Sequence, residues 1–393
     1  MTPAARVQAA IELLDGIIRA ARNEGAPADR LIADYFKQRR YAGSKDRRAV
    51  RELVYSAIRT CGEIPANGRA CMLRLAQDDP ALPALFDGST HGPAPLAAEE
   101  ILAEPGVAPN WLVERFKAAG LNEDELAALR GRAPLDIRVN AVKADRATIE
   151  LPESGEPLAA PQALRFESGT QVEQWEAYRS GLIEVQDHGS QLACLAVNAK
   201  AGEVVIDLCA GAGGKALSLA AQMQNQGTLL ACDTDKRRLG NLPPRAERAG
   251  AGIVEAILLD PGNELEILGE WVGQADLVLV DAPCSGTGTW RRKPEAKWRL
   301  TPERLARFAR TQDRLLDIAA QLVKPGGRLA FVTCSLLDDE GKERVDAFLA
   351  RRPDWINQEV SLPAGRAHGK GCRLTPFHDG TDGFFVAMLG SPC

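Results

Sequence analysis

Two cysteines and an aspartate carry the chemistry open to this chain. Asp281-Ala282-Pro283-Cys284-Ser285-Gly286-Thr287-Gly288 and Thr333-Cys334-Ser335 each close a short run, Asp276 to Val280 and Arg328 to Thr333, that reads as a buried strand. Most buried cysteines are small core residues, and Cys61, Cys71, Cys194 and Cys232 are read that way. Cys284 and Cys334 differ, because a thiol just past a strand faces whatever a parallel sheet binds at that rim. Paired thiols beside a methyl donor suit a reaction that needs covalent activation. Cytosine C5 is such a case, being too weak a nucleophile to take a methyl group unaided. A thiolate adding at C6 pushes electron density to C5, which can then attack a sulfonium methyl. Asp281, if protonated at that moment, is placed to hydrogen-bond N3, and the second thiol could assist release. Methylation of an exocyclic adenine amine needs no nucleophile and uses an Asp/Asn-Pro-Pro-aromatic loop, from which Asp281-Ala282-Pro283-Cys284 departs at its second and fourth positions.

These residues need a scaffold, and the stretch Val204 to Lys215, VVIDLCAGAGGK, supplies its centre. A β-branched run ending at Asp207, then Gly211, Gly213 and Gly214, reads as strand, tight loop and helix from Lys215 to Met223. A loop of this kind lets backbone approach a ligand, and the helix start offers unpaired N–H groups. The next strand, Thr228 to Cys232, ends at Asp233, about 20 residues on, where a carboxylate can accept from both ribose hydroxyls. Ile257 to Leu259 closes on Asp260, which could accept from an adenine amine. Gly211-Ala212-Gly213-Gly214-Lys215-Ala216 lacks the last glycine of G-x-G-x-x-G, so a nucleoside without pyrophosphate fits better than a dinucleotide. S-adenosylmethionine is the leading candidate. In an open parallel sheet the carboxyl ends of the strands share one rim, so Asp233, Asp260, Asp281 and Cys334 are expected to converge.

The rest of the chain divides by pattern. Residues 1–130 read as all-α, with Val7, Ile11, Leu14 and Ile18 on one helical face and Asn122 with Glu125 as a capping box. Residues 131–180 read as a small α/β linking insert and 181–393 as the large α/β domain, with Gly181 to Ala199 giving its first strand and helix. Pro243 and Pro244 are expected to bend or end a helix begun at Arg237. At 393 residues and net charge −5 the mildly acidic total does not exclude nucleic acid, because binding responds to local charge. KQRRYAGSKDRR, around Tyr41, reads as a solvated basic face that also suits an RNA backbone and a stacked base. Trp290, Arg291, Arg292, Lys293, Lys297, Trp298 and Arg299 interleave aromatics with positive charge and are expected to contact nucleic acid. The triplet Arg138 to Asn140 reads as an ordinary strand end. Nine scattered cysteines, no C-x-x-C spacing and no apolar signal core point to free thiols in a reducing cytoplasm, with no metal site. No apolar run approaches membrane-spanning length.

With these motifs in place, the chain resembles the NOL1/NOP2/Sun family of RNA cytosine-C5 methyltransferases, and within it the bacterial Sun/RsmB type acting on small-subunit ribosomal RNA. DLCAGAGGK, DAPCSGTGTWRRKPEAKW, VTCS, VQDHGSQ and DGFFVA carry the likeness over Arg138 to Leu389, and SKDRRAVRELVYSAIR looks like a NusB-type RNA-binding domain. The resemblance implies a Rossmann-like class I S-adenosylmethionine-dependent methyltransferase sheet behind an all-α NusB-like domain. It implies that Cys209, Ala210, Gly211, Ala212, Gly213, Gly214, Lys215, Asp233, Asp260 and Asp281 line the cofactor pocket. Cys334 would be the nucleophile and Cys284 the release cysteine, with Asp281 and Lys215 beside them in the catalytic set. That assignment rests on the resemblance, since DNA cytosine methyltransferases attack with the Pro-Cys thiol. Relatives often carry Ala-Pro where this chain has Gly211-Ala212, and Thr at the position of Ala216. The expected partner is small-subunit ribosomal RNA, met by a monomer. Transfer RNA as substrate, or a non-catalytic RNA-binding assembly factor, are the other readings, and the two rim thiols argue against the second.

Overall fold

The computed structural model describes all 393 residues, which fall into two compact units. One comprises Met1–Gly131 together with Thr289–Thr301; the other comprises Arg132–Gly288 and Pro302–Cys393.

The first unit is helical, with principal helices Pro3–Arg22, Ala28–Gln38, Ser44–Thr60, Gly68–Ala76, Asn110–Ala118 and Glu123–Ala128. Local chemistry sets their ends. Thr2 caps the first helix by accepting from the Ala5 amide, and Asn122 and Glu125 form the expected reciprocal capping box. Val7, Leu14, Ile17, Val50, Val54 and Ile58 fill the core, where burial rather than propensity stabilises short helices.

Trp298 belongs to that same core. The segment expected to meet nucleic acid is instead built into the helical unit. Trp290 is 2% exposed and packs edge-to-face on Phe116, with centroids 5.5 Å apart. The Trp298 indole donates to the Gly62 carbonyl, the Lys297 ammonium donates to the Val107 carbonyl, and Arg299 donates to the carbonyls of Gly25 and Ala26. Buried tryptophans cannot stack on a base, so this correction removes them from any RNA face; only Arg292 and Lys293 of the set are exposed.

The second unit holds two sheets. The small one is four-stranded and antiparallel, in the order β2-β3-β1-β4, from β1 (Leu135–Val139), β2 (Glu156–Pro157), β3 (Ala163–Phe166) and β4 (Ile183–Val185). β4 pairs with β1, so the strand after Gly181 completes the small sheet rather than opening the large one. Arg138 donates to Gln186 and Asn140 to the carbonyls of Gly181 and Ala249, all buried, which makes that triplet a structural tie.

The large sheet contains β5 (Val204–Asp207), β6 (Thr228–Asp233), β7 (Val254–Leu258), β8 (Ala275–Asp281), β9 (Val323–Thr333), β10 (Ile356–Gln358), β11 (Arg366–His368), β12 (Gly371–Leu374) and β13 (Phe384–Gly390). Its order is β11-β12-β13-β9-β8-β5-β6-β7, with β10 also on β13. The strands from β9 to β7 are parallel, and those beyond β9 are antiparallel. Alternate residues feed different cores: Val205, Leu229 and Leu277 face the helices His188–Val197 and Gly214–Gln222, while Ile206, Leu230 and Val278 face Pro302–Leu322. From β5 the chain steps outward to β6 and β7, then returns to β8 on the other side, so the switch of direction falls between β5 and β8. Ligands bind such sheets at this crevice.

The helix expected from Arg237 ends before the prolines, as the single turn Lys236–Leu239, and Pro243 and Pro244 lie in the first turn of the next helix, Leu242–Ala249, where their missing N–H groups cost nothing. Pro325 to Gly327 sits inside β9, where the pairing shifts from Ala275 opposite Val323 to Leu277 opposite Arg328.

Candidate active site

The loops after β5 and β8 meet at the switch point. After β5 the backbone turns tightly, with the Ala210 amide donating to the Cys232 carbonyl and the Gly213 amide to the Ala210 carbonyl. Gly213 has φ +83° and would drive a Cβ into the Leu242 side chain, so both conformation and space require glycine there. The helix Gly214–Gln222 then starts with no side-chain cap, leaving amides at its N-terminus for a polar ligand.

Asp233, at the end of β6, organises the loop edge. One carboxylate oxygen accepts from the Gly211 amide at 2.7 Å and the other from the Asp235 amide at 2.7 Å. Each oxygen keeps a free lone pair for a hydroxyl. Asp207 lies behind, fully buried; burial first and neighbouring Asp281 second push its pKa up to about 8, against the pull of Lys215.

Lys215 reaches across to Asp281, Nζ to Oδ2 2.7 Å, and its ammonium lies 5.4 Å from the Phe384 ring centroid. Burial disfavours that ammonium, but Asp281 outweighs it and holds the Lys215 pKa above its ordinary range. Beyond Asp281 the loop brings Cys284 Sγ to 3.4 Å from Cys334 Sγ. The Cys284 pKa stands well above the usual thiol range, from the hydrogen bond with Cys334, then burial, then the negative charge of Cys334 and Glu340. The two loops are tied together by the Gly288 amide donating to the Cys334 carbonyl and the Gly383 amide donating to the Gly288 carbonyl. Gly288 and Gly383 pack backbone on backbone, which no side chain would permit.

A cavity of about 430 Å³ opens on this rim, within the range of small-ligand sites. Cys209, Asp233, Asp281, Cys284 and Cys334 line it. Gly211 contributes through its bond to Asp233 and Lys215 through its pair with Asp281; Ala210, Ala212, Gly213 and Gly214 belong to the same turn and are not lining residues. Asp260 stands apart: it is exposed and accepts from the Asn263 side chain at 2.9 Å, while its neighbour Leu259 forms part of the wall. It lies past the end of β7, two residues beyond the last paired position, so its carboxylate is turned to solvent. Three other wall residues, Arg238, Glu264 and Arg314, carry no local signal, and the last two are paired at 2.8 Å. An isolated acid and arginine 50 residues apart look like surface charge until folding brings them together. A larger groove of about 1080 Å³ lies on the helical unit beside Tyr35, Arg39 and Tyr41, but it holds no thiol.

The donor set fits S-adenosylmethionine: a strand-end carboxylate for ribose, an uncapped helix start, and apolar Leu208 and Leu259 beside them.

Residues 194–390 match the family described as 16S rRNA methyltransferase RsmB/F. The probable ribosomal RNA small subunit methyltransferase B of Bacillus subtilis is 33% identical over 296 residues, 72% of this chain and 66% of its own length. The ribosomal RNA small subunit methyltransferase B of Xylella fastidiosa is 33% identical over 293 residues, covering 72% of this chain and 68% of its own. The chain thus spans about two thirds of the length of these relatives. The crystal structure of PH0851 superposes with a TM-score of 0.74 at 26% identity, over 99% of both chains. The fold is the Rossmann-like sheet of an S-adenosylmethionine-dependent methyltransferase. By sequence and by fold together, the chain belongs to the 16S rRNA methyltransferase RsmB/F family.

Proposed function

We propose that this protein methylates C5 of a cytosine in small-subunit ribosomal RNA, in the cytoplasm, through a transient bond between Cys334 and C6. The observation that carries the reading is the pair of sulfurs 3.4 Å apart on the wall of the cavity that also holds Asp233. The names of the relatives support ribosomal RNA as substrate.

S-adenosylmethionine supplies an electrophilic methyl group. Asp233 and the helix start at Gly214 hold and orient the nucleoside. Cys334, as thiolate, adds to C6 and forms the S–C6 bond, and the displaced electron pair makes C5 nucleophilic. The Lys215–Asp281 pair faces the developing negative charge. The proton for N3 comes from Lys215 Nζ, relayed through the Asp281 carboxyl 2.7 Å away, and Lys215 is left as the neutral amine until that proton returns. That refines the simpler picture of a protonated Asp281. After C5 takes the methyl group, the C5 proton passes to a water molecule, the C–H pair forms the C5–C6 double bond, the S–C6 bond breaks with Cys334 leaving as thiolate, and N3 returns its proton through Asp281 to Lys215. Cys284, held protonated beside it, assists that release.

The test is chemical. Recombinant protein incubated with small-subunit ribosomal RNA and methyl-labelled S-adenosylmethionine should place label in 5-methylcytidine after nuclease digestion. Label found only in an N-methyl nucleoside would sink the proposal.

A further inference from the structure

Glu340 was not among the residues the sequence singled out, yet it touches both cysteine loops. It is fully buried, at the end of the single turn Asp338–Glu340 that follows β9. Oε1 accepts from the Ser285 amide at 2.8 Å and from Gln312 Nε2 at 3.2 Å, and Oε2 accepts from the Ser285 hydroxyl. Gln312, also fully buried, donates to the Pro283 carbonyl at 2.9 Å. Pro283 and Ser285, the two neighbours of Cys284, are therefore both held by the Glu340–Gln312 pair.

The same carboxylate residue secures the other loop. Its main-chain carbonyl accepts from the Thr333 hydroxyl at 3.2 Å, one residue before Cys334. Ser335, one residue after, lies 3.3 Å from the Ser285 hydroxyl and 3.1 Å from the Thr287 hydroxyl. A single buried network thus grips the residues on either side of both thiols.

A carboxyl group is an expensive choice for a mere brace, because burying its charge costs several kcal/mol before hydrogen bonds offset it. No cation neutralises it: Arg344, one turn further on, is committed to Asp313 at 2.7 Å. Burial pushes the Glu340 pKa up, hydrogen bonds from Ser285, Ser335 and Gln312 oppose that, and in its charged form the carboxylate bears on the Cys284 side of the sulfur pair, where it raises the thiol pKa. On the Cys334 side stands the Lys215 ammonium, paired with Asp281 and sensitive to charge on Cys334. Like charge disfavours a thiolate and opposite charge favours it.

We infer that Glu340 is a positioning residue that aligns the two cysteine loops and, by its charge, keeps the thiolate on Cys334 and the proton on Cys284. The inference rests on the two-cysteine reading above, and it would give an electrostatic reason for roles that motif likeness alone assigned.

The deciding readout, a labelling ratio, needs neither RNA nor turnover. Limiting iodoacetamide, followed by peptide mass spectrometry, should label Cys334 faster than Cys284 in the wild-type protein, because the thiolate and not the thiol is the nucleophile. Glu340→Gln, with an unchanged melting temperature, should move that ratio at least threefold toward Cys284. Gln312→Leu, which keeps the Glu340 carboxyl but frees Pro283 and removes one of the donors to that carboxyl, should move the ratio less than Glu340→Gln does while slowing turnover at unchanged KM. Wild-type protein that labels Cys284 first would overturn the inference even if E340Q fails to fold. A folded E340Q with the wild-type ratio, or a Q312L that shifts it as far, would reduce the network to a brace. Failure of the cytosine reading shows elsewhere, as absence of 5-methylcytidine.

Discussion

Replacing Asp233 by asparagine probes how the ligand cavity is held together. Asp233 is 7% exposed and takes two amides, from Gly211 and Asp235, each at 2.7 Å. Asparagine keeps one acceptor oxygen but turns an NH2 group toward the other amide, so one charge-assisted bond is lost and a buried N–H is left unpaired. Hydrogen bonds to charged groups contribute about 1.5–3 kcal/mol. If the loss falls on ligand binding, S-adenosylhomocysteine affinity should drop roughly 10- to 100-fold, at about 1.4 kcal/mol per factor of ten. If it falls on the fold, the melting temperature should drop by roughly 3–12 °C, since about 1 kcal/mol moves a domain of this size by 2–4 °C. Titration calorimetry and a thermal scan on the same sample separate the two. A D233N protein that binds within twofold of wild type and melts within a degree of it would refute the claim that this carboxylate braces the glycine loop.

Lys297→Met tests a buried cation. Burial drives the Lys297 pKa down to about 8, whereas the unfolded chain holds its proton to about 10.4. Between those values the unfolded state binds more protons, so this lysine's penalty is full below pH 8 and fades as pH rises. The stability of wild type relative to K297M should therefore increase by roughly 2 kcal/mol between pH 7 and 9.5 in denaturant titrations; a constant difference would contradict it. Trp290→Ala should cost about 3–5 kcal/mol of stability in the helical unit, as for other large buried aromatics. Weaker RNA binding with unchanged melting would restore this tryptophan to an RNA face.

The parallel strands were legible because they are short apolar runs that end in Asp207, Asp233 or Asp281, a pattern set by burial on both faces and a polar rim. Convergence of Cys284 and Cys334 followed from the same rule, since strand ends of one parallel sheet share one edge. Other features depend on partners distant in sequence. β4 reads like any strand before a helix, and only pairing with β1 places it in the small sheet. Trp290 and Trp298 beside several basic residues look the same whether they meet RNA or another part of the chain; the helical core decides, 236 residues away for the bond to Gly62. Glu340 sits in an acidic run, Asp338-Asp339-Glu340, that reads as solvated surface, and nothing local marks the third acid as the buried one. Asp260 fails in the opposite direction: a strand-end acid by pattern, it turns outward because β7 stops two residues earlier.

One comparison reaches the centre of the account: denaturing gel electrophoresis of Cys284→Ser and Cys334→Ser variants after incubation with S-adenosylmethionine and substrate RNA. Cys284→Ser should accumulate a slowly migrating protein–RNA species that ribonuclease collapses, and Cys334→Ser should form none and transfer no methyl group. Adduct formed by the Cys334 variant, or methylation that survives its substitution, would contradict attack by that sulfur.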